Sequence, residues 1–249
     1  MYPVFIPTKS RANTITTTKY LYDVEYYLVI EPQDLFFYSS HFFPHQLIVL
    51  EENNQGIHYV KNYIKLIALT LCLKYYWLLD DNLHHFYIRQ DNRNIKSNFK
   101  EIKMVIESFV NKYNNIGQCC LIRDLFAWTM KDEYKLNKQM CNCVLNLVED
   151  NVWYDSNCID DTDYSLQILD LGYTTIQFNR CLFKKPPSNR MKGGFTDKYK
   201  LDGNYNSVLN TMKKYNTDFT WFKMKVDINN CVRLQPSNIW RKKYTQVLE

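Results

Sequence analysis

"YYWLLDDN", residues 75–82, is the stretch on which the fold turns. An aromatic and aliphatic run, Tyr75–Leu79, leads straight into Asp80 and Asp81. Two adjacent carboxylates repel each other, and neither is stable in an apolar core. Either a buried strand surfaces at this point, or something positive is meant to sit there.

The segments before it give the strand its context. Val4-Phe5-Ile6 is a short apolar run, followed by a Pro7 turn with Lys9 and Arg11. A helix is expected near 16–22. "EYYLVIEPQD" (25–34) reads as a second strand stopped by Pro32, and Leu47–Leu50 as a third. From His58 the period changes: Val60, Ile64, Ile67 and Leu71 recur on one helical face. Strands and helices in this order predict an α/β fold with a Rossmann-like, mostly parallel central sheet flanked by helices. In such sheets ligands bind beyond the carboxyl ends of the strands. Thr8–Arg11, Glu31, Glu51–Gly56 and Asp80–Asn82 would gather at that edge.

Further along, Ile102, Val105, Ile106, Phe109, Val110 and Tyr113 mark an amphipathic helix. Gln118–Ala127 and Met140–Val148 read as strands. A helix over 162–171 is closed by Gly172, and Tyr173–Phe178 is a strand. A loop over 186–195, a helix over 206–215 and a strand over Trp221–Val226 complete the reading. Neither a repeat nor a linker is visible, so a single domain over 1–249 is expected.

Composition narrows the class. Hydrophobic residues at 46% and charged residues at 23% are ordinary for a globular chain. Six Gly and seven Pro argue against a collagen-like or Gly/Pro-rich disordered chain. A net charge of +5 suits a polyanion or a diphosphate ligand, and by itself establishes neither. The eight cysteines form no C-x-x-C, which argues against a zinc ribbon and for free thiols in a reducing compartment. Cys141 and Cys143 alternate on an expected strand and would face one side. Met1–Lys9 has no signal-peptide pattern, and the apolar stretch 63–79 is interrupted by Lys65 and Lys74. A soluble cytoplasmic or nuclear protein without a membrane span is expected.

The polar segments each carry two readings. Asp80-Asp81-Asn82 offers hard oxygen ligands to a divalent cation, or is a solvated strand end. Asp160-Asp161-Thr162-Asp163 opens a helix, as a cap or as a source of a general base. Lys61 and Asn62 lie on the first turns of a helix fed by the Gly56 loop, where anions are favoured; Lys61 could equally be a surface charge. Gly193-Gly194, between Arg190 or Lys192 and Phe195, would cradle phosphate or form a plain turn. His84-His85 reads as surface or packing residues.

In sequence, "IPTKSRA", the strand ending in Glu31, "NNQGIHYVKNYI", "YYWLLDDN" and "IDDTDYSLQILDLGY" resemble the nucleotide-sugar glycosyltransferases of the GT-A fold. With "NRMKGGF" added, the chain looks most like the TET/JBP-associated group, which includes phage enzymes and relatives of the base J glucosyltransferase. The resemblance covers about residues 3–195. It implies a nucleotide-binding half over about 1–95 and an acceptor half over about 96–249. It implies inverting transfer of a hexose from a UDP-sugar, with Asp161 as catalytic base. Thr8, Lys9, Arg11 and Glu31 would surround the nucleotide, and Lys61 and Asn62 would reach the donor. Asp80 would bind the ribose, and Asp81 a manganese or magnesium ion on the diphosphate. The implied acceptor is hydroxymethylated pyrimidine in DNA, met by basic residues from Lys184 to Lys243. The alternatives are protein or glycan acceptors, or an inactive interaction module. Two features depart from the pattern: Asn82 stands at the third D-x-D position, and no His follows His85.

Overall fold

Alternation along the central strands builds the molecule. In a computed structural model, which describes residues 1–186, 204–226, 232–236 and 243–249, the strands are β1 (Val4–Pro7), β2 (Tyr27–Ile30), β3 (Leu47–Val49), β4 (Tyr75–Leu79), β5 (His84–Gln90), β6 (Arg93–Ser97), β7 (Ile116–Arg123), β8 (Tyr134–Leu136), β9 (Cys143–Leu147) and β10 (Thr174–Lys184). They form one sheet in the order β3-β2-β1-β4-β9-β7-β10-β5-β6, with β8 also on β10. A separate hairpin pairs β11 (Phe222–Val226) with β12 (Val232–Pro236). The helices are α1 (Leu35–Ser39), α2 (Ile57–Thr70), α3 (Phe99–Val110), α4 (Asp160–Asp170) and α5 (Tyr205–Lys214).

β4 is buried along its whole length, and its residues alternate between two cores. Tyr75, Trp77 and Leu79 join Val4, Ile6 and Leu28 against Phe99, Ile102, Ile106 and Val110 of α3. Tyr76 and Leu78 join Phe5 and Val29 against Val60 and Ile64 of α2 and Tyr164 and Ile168 of α4. The sheet is therefore covered on both faces, which a near-continuous apolar strand requires. Each buried aromatic removes about 150–250 Å² from water, worth several kcal/mol at about 25 cal/mol per Å². The polar edge of Trp77 is satisfied by a hydrogen bond to Glu107 (2.8 Å), which also pairs with Lys103 (2.7 Å).

The parallel pairings expected from the sequence run through β3-β2-β1-β4 and recur between β7 and β10. β9 enters antiparallel between β4 and β7. As a result β1, β2, β3, β4, β7 and β10 all end at the same edge of the sheet, and β9 starts there.

Two strands expected from the sequence differ in extent, and the helix expected near 16–22 is a 3-10 turn over Thr17–Tyr20. β7 ends at Arg123, and Asp124–Thr129 turns into a 3-10 helix instead of continuing the strand to Ala127. Cys141 lies before β9, with Asn142 in the left-handed region (φ 68°), so it does not alternate with Cys143 on a strand. The seven described cysteines are free. Among the described residues, no helix is long and apolar enough to cross a membrane.

Candidate active site

The carboxyl edge of the sheet collects the polar segments that follow its strands. Thr8, one residue past β1, donates its hydroxyl to Asp81 Oδ2 (2.9 Å) and shares a 2.7 Å hydrogen bond with Tyr38 Oη. Arg11 Nη1 lies 2.6 Å from Asp81 Oδ1. Lys9 Nζ reaches Glu31 (2.9 Å) after β2, and Asn54 Oδ1 (2.6 Å) in the loop after β3. Asp34 accepts from the Ser10 amide at 2.7 Å and so fixes the turn that carries Lys9 and Arg11.

The two carboxylates of "LDDN" have different environments. Asp81 is buried, its side chain 8% exposed, with both oxygens committed to Arg11 and Thr8. Burial pushes its carboxyl up, against the opposing pull of Arg11. The Asp80 side chain is 38% exposed and pairs with Lys185, which follows β10. Arg123 at the end of β7 donates to the Lys185 carbonyl (2.6 Å), fixing that backbone.

α4 brings a second acidic pair to the same edge. Gly117 on β7 allows the approach, because a Cβ there would stand 2.4 Å from Ile168 Cγ2. The helix has Ile159 at its N-cap position and no side-chain cap, so Asp160 and Asp161 are not caps. Both turn to Lys61 of α2, whose Nζ lies 2.6 Å from Asp160 Oδ2 and 2.8 Å from Asp161 Oδ1. Burial disfavours the Asp160 charge, but Lys61 outweighs it and holds that carboxyl below its usual range. Burial and the Asp160 charge push the Asp161 carboxyl up to about 6, with Lys61 opposing and Asp80 adding to the rise. Splitting two neighbouring carboxyls in this way is how a site keeps one of them basic near neutral pH. Burial works against the Lys61 ammonium, yet its two carboxylates keep it protonated well above the usual range.

A family model described as TET-Associated Glycosyltransferase matches residues 2–194. The chain belongs to this family. No curated protein matches the chain. The α/β sheet with helices on both faces is consistent with a glycosyltransferase fold, and the family implies a nucleotide-sugar donor.

The geometry of this glycosyltransferase bears on each residue singled out in its sequence. Thr8, Arg11 and Asp81 form one contact group, Lys9 and Glu31 another, and Lys61 and Asp161 a third. The Asn62 side chain is engaged within the fold. Its amide bonds both the Tyr154 carbonyl (3.0 Å) and the Tyr154 amide (2.9 Å), pinning the 152–154 segment to α2. Gly193, Gly194, Arg190 and Lys192 lie outside the described residues. Sequence reasoning missed Tyr38, Asp34 and the Lys185 contact to Asp80, because each depends on a partner far along the chain.

A divalent cation on Asp81 does not fit this donor set. Such ions take six or more oxygens, including unpaired carboxylates. Both Asp81 oxygens are occupied, and Asp80 already faces an ammonium. Asn82 Oδ1, which has no partner among the described residues, is a single neutral oxygen. Elsewhere, Asp155, Cys158 and Asp163 bring their ligand atoms within 4.8 Å of one another, but Lys214 stands 2.7 Å from Asp163.

Proposed function

We propose that the chain transfers a hexose from a nucleoside diphosphate sugar, UDP-linked, to an acceptor hydroxyl with inversion. The observation that carries this reading is Asp161: a carboxyl raised to about 6, on the first turn of α4, at the carboxyl edge of the sheet beside Asp80 and Lys61. Its Oδ1 is held by Lys61, leaving Oδ2 to take a proton.

In this reading the acceptor oxygen attacks the anomeric carbon while Asp161 removes its proton. The bond from that carbon to the diphosphate breaks on the opposite face, which inverts the centre. Lys61 orients the base and keeps Asp160 ionised. Thr8, Lys9, Arg11 and Glu31 line the nucleotide side. Asp80, the more open carboxylate of its pair, is proposed to hydrogen-bond the ribose. Asp81 holds Arg11 in place. Gly193 and Gly194 are proposed for the diphosphate. The acceptor we propose is hydroxymethylated pyrimidine in DNA, the substrate class implied by the family resemblance.

The test has two parts. In a thermal-shift screen of UDP-, GDP-, ADP- and CDP-sugars, one donor should stabilise the protein selectively, because a ligand bound only to the folded state raises its stability. Asp161→Asn should keep that shift and lose transfer by about 10²–10⁴-fold, the usual share of a general base. Near-normal transfer by this variant would remove Asp161 from its role.

A further inference from the structure

Among the described residues at this edge of the sheet, each ion-paired carboxylate has a basic side chain of the chain itself as its partner. Glu31 has Lys9, Asp81 has Arg11, Asp160 and Asp161 share Lys61, and Asp80 has Lys185. The Lys185–Asp80 pair joins residues 105 positions apart and is not an accident of local chain geometry. Arg123 fixes the lysine backbone from β7, and the Lys185 side chain is only 15% exposed. The position where a cation would bridge a strand-end carboxylate to a diphosphate therefore already holds a positive charge.

We propose that Lys185 takes the place of a divalent ion in this glycosyltransferase: its ammonium bridges Asp80 and the donor diphosphate and neutralises the leaving group. The inference rests on the transfer reading above and names the residue that serves its leaving group. An ammonium carries three N–H donors. Asp80 uses one, so the others can point at phosphate oxygens without breaking the pair. In the transfer step the acceptor oxygen forms the new bond to the anomeric carbon and its proton goes to Asp161. The electron pair of the breaking carbon–oxygen bond stays on the terminal phosphate oxygen, and the nucleoside diphosphate departs with one further negative charge. Lys185 meets that charge as it develops, where a fixed cation lowers the barrier most. Asp80 raises the affinity of Lys185 for its proton, more than offsetting burial, so the ammonium persists at neutral pH.

The experiment is calorimetry of UDP, GDP, ADP and CDP binding to metal-stripped full-length protein, in EDTA and in manganese, alongside transfer assays. The preferred diphosphate should bind within about twofold equally in both buffers, and transfer should persist in EDTA. Lys185→Ala should weaken that diphosphate at least tenfold while binding of the matching nucleoside changes little. Lys185→Arg should recover most of the loss, and melting curves of both variants report whether they fold. Diphosphate binding or transfer that needs manganese would overturn the Lys185 role and leave the glycosyltransferase reading standing. Wild-type diphosphate affinity in folded Lys185→Ala would overturn it as well. No diphosphate binding in either buffer would overturn both readings.

Discussion

At the scale of single residues, the candidate site gives identical side chains different surroundings. Asp160 and Asp161 are adjacent and both touch Lys61, yet burial and mutual repulsion leave only one of them fully ionised well below neutral pH. The Asp161 carboxyl is raised, so its basic form is present above about pH 6 and is lost as pH falls through that value. The profile of kcat/KM, which reports groups of the free enzyme, should have an acidic limb near 6. Lys61 opposes the rise, so Lys61→Met should move this limb to higher pH, by about one unit or more. A limb that stays in place would show that Asp161 is not the titrating base. The neighbouring pair Arg11–Asp81 makes a different demand. Both side chains are largely buried, so Arg11→Met leaves a buried carboxylate unpaired. Such losses cost about 3–5 kcal/mol. Urea unfolding should show a loss of that order, and adding Asp81→Asn should recover part of it. Equal stability of wild type and Arg11→Met would show that the pair is replaceable by solvent.

At the scale of elements, the position of Asp161 depends on how closely α4 lies on β7. A Cβ at Gly117 would stand 2.4 Å from Ile168 Cγ2 and 2.9 Å from Tyr173 Cβ, so one methyl group must push the helix or distort the strand. Gly117→Ala should destabilise the fold by about 1–3 kcal/mol, as overpacking does. It should also lower transfer, because the shifted helix carries Asp161, the proposed base. Adding Ile168→Ala should make the stability losses less than additive, since the two side chains collide. Purely additive losses would place the strain elsewhere. The helix itself was legible beforehand, because Gly172 (φ 87°) gives it a left-handed stop and its apolar face has helical spacing. β4 was legible to the residue, since a five-residue apolar run between polar segments leaves little freedom. The β5–β6 hairpin was not read. Its Asp91-Asn92 turn has both residues at positive φ, a two-residue hairpin signal, but its flanking strand at the sheet edge is largely polar and hides the alternation. The Lys185–Asp80 contact was not legible at all, because it joins β10 to β4 across two intervening strands.

At the scale of the whole molecule, the proposed DNA acceptor has to be met by more than net charge. The net charge is +5, and of the basic residues expected to meet DNA, Lys185 is committed to Asp80 and Lys243 lies 4.9 Å from the Tyr244 ring. Arg190, Lys192, Lys198, Lys200, Arg241 and Lys242 lie outside the described residues, and Lys184 is exposed. Phosphate contacts of that kind set register and affinity while carrying little base specificity. In the proposed DNA reading, selectivity for a hydroxymethylated base then comes from contacts to the base itself, and a base inside a duplex has to leave the stack to reach Asp161. Single-stranded or mismatched hydroxymethylated DNA should therefore be glycosylated faster than fully paired DNA. Raising salt fourfold should weaken the acceptor by about 2.6-fold (single strand) to 3.5-fold (duplex) for each phosphate contact, with donor affinity much less affected. The measurement is transfer of a labelled sugar to hydroxymethylated DNA, followed by digestion to nucleosides and mass spectrometry. Label on a hydroxymethylated nucleoside, with the single-strand preference and the salt dependence, is the expected outcome. Label found only on protein or oligosaccharide acceptors would reassign the acceptor and leave the roles proposed for Asp161 and Lys61 unchanged.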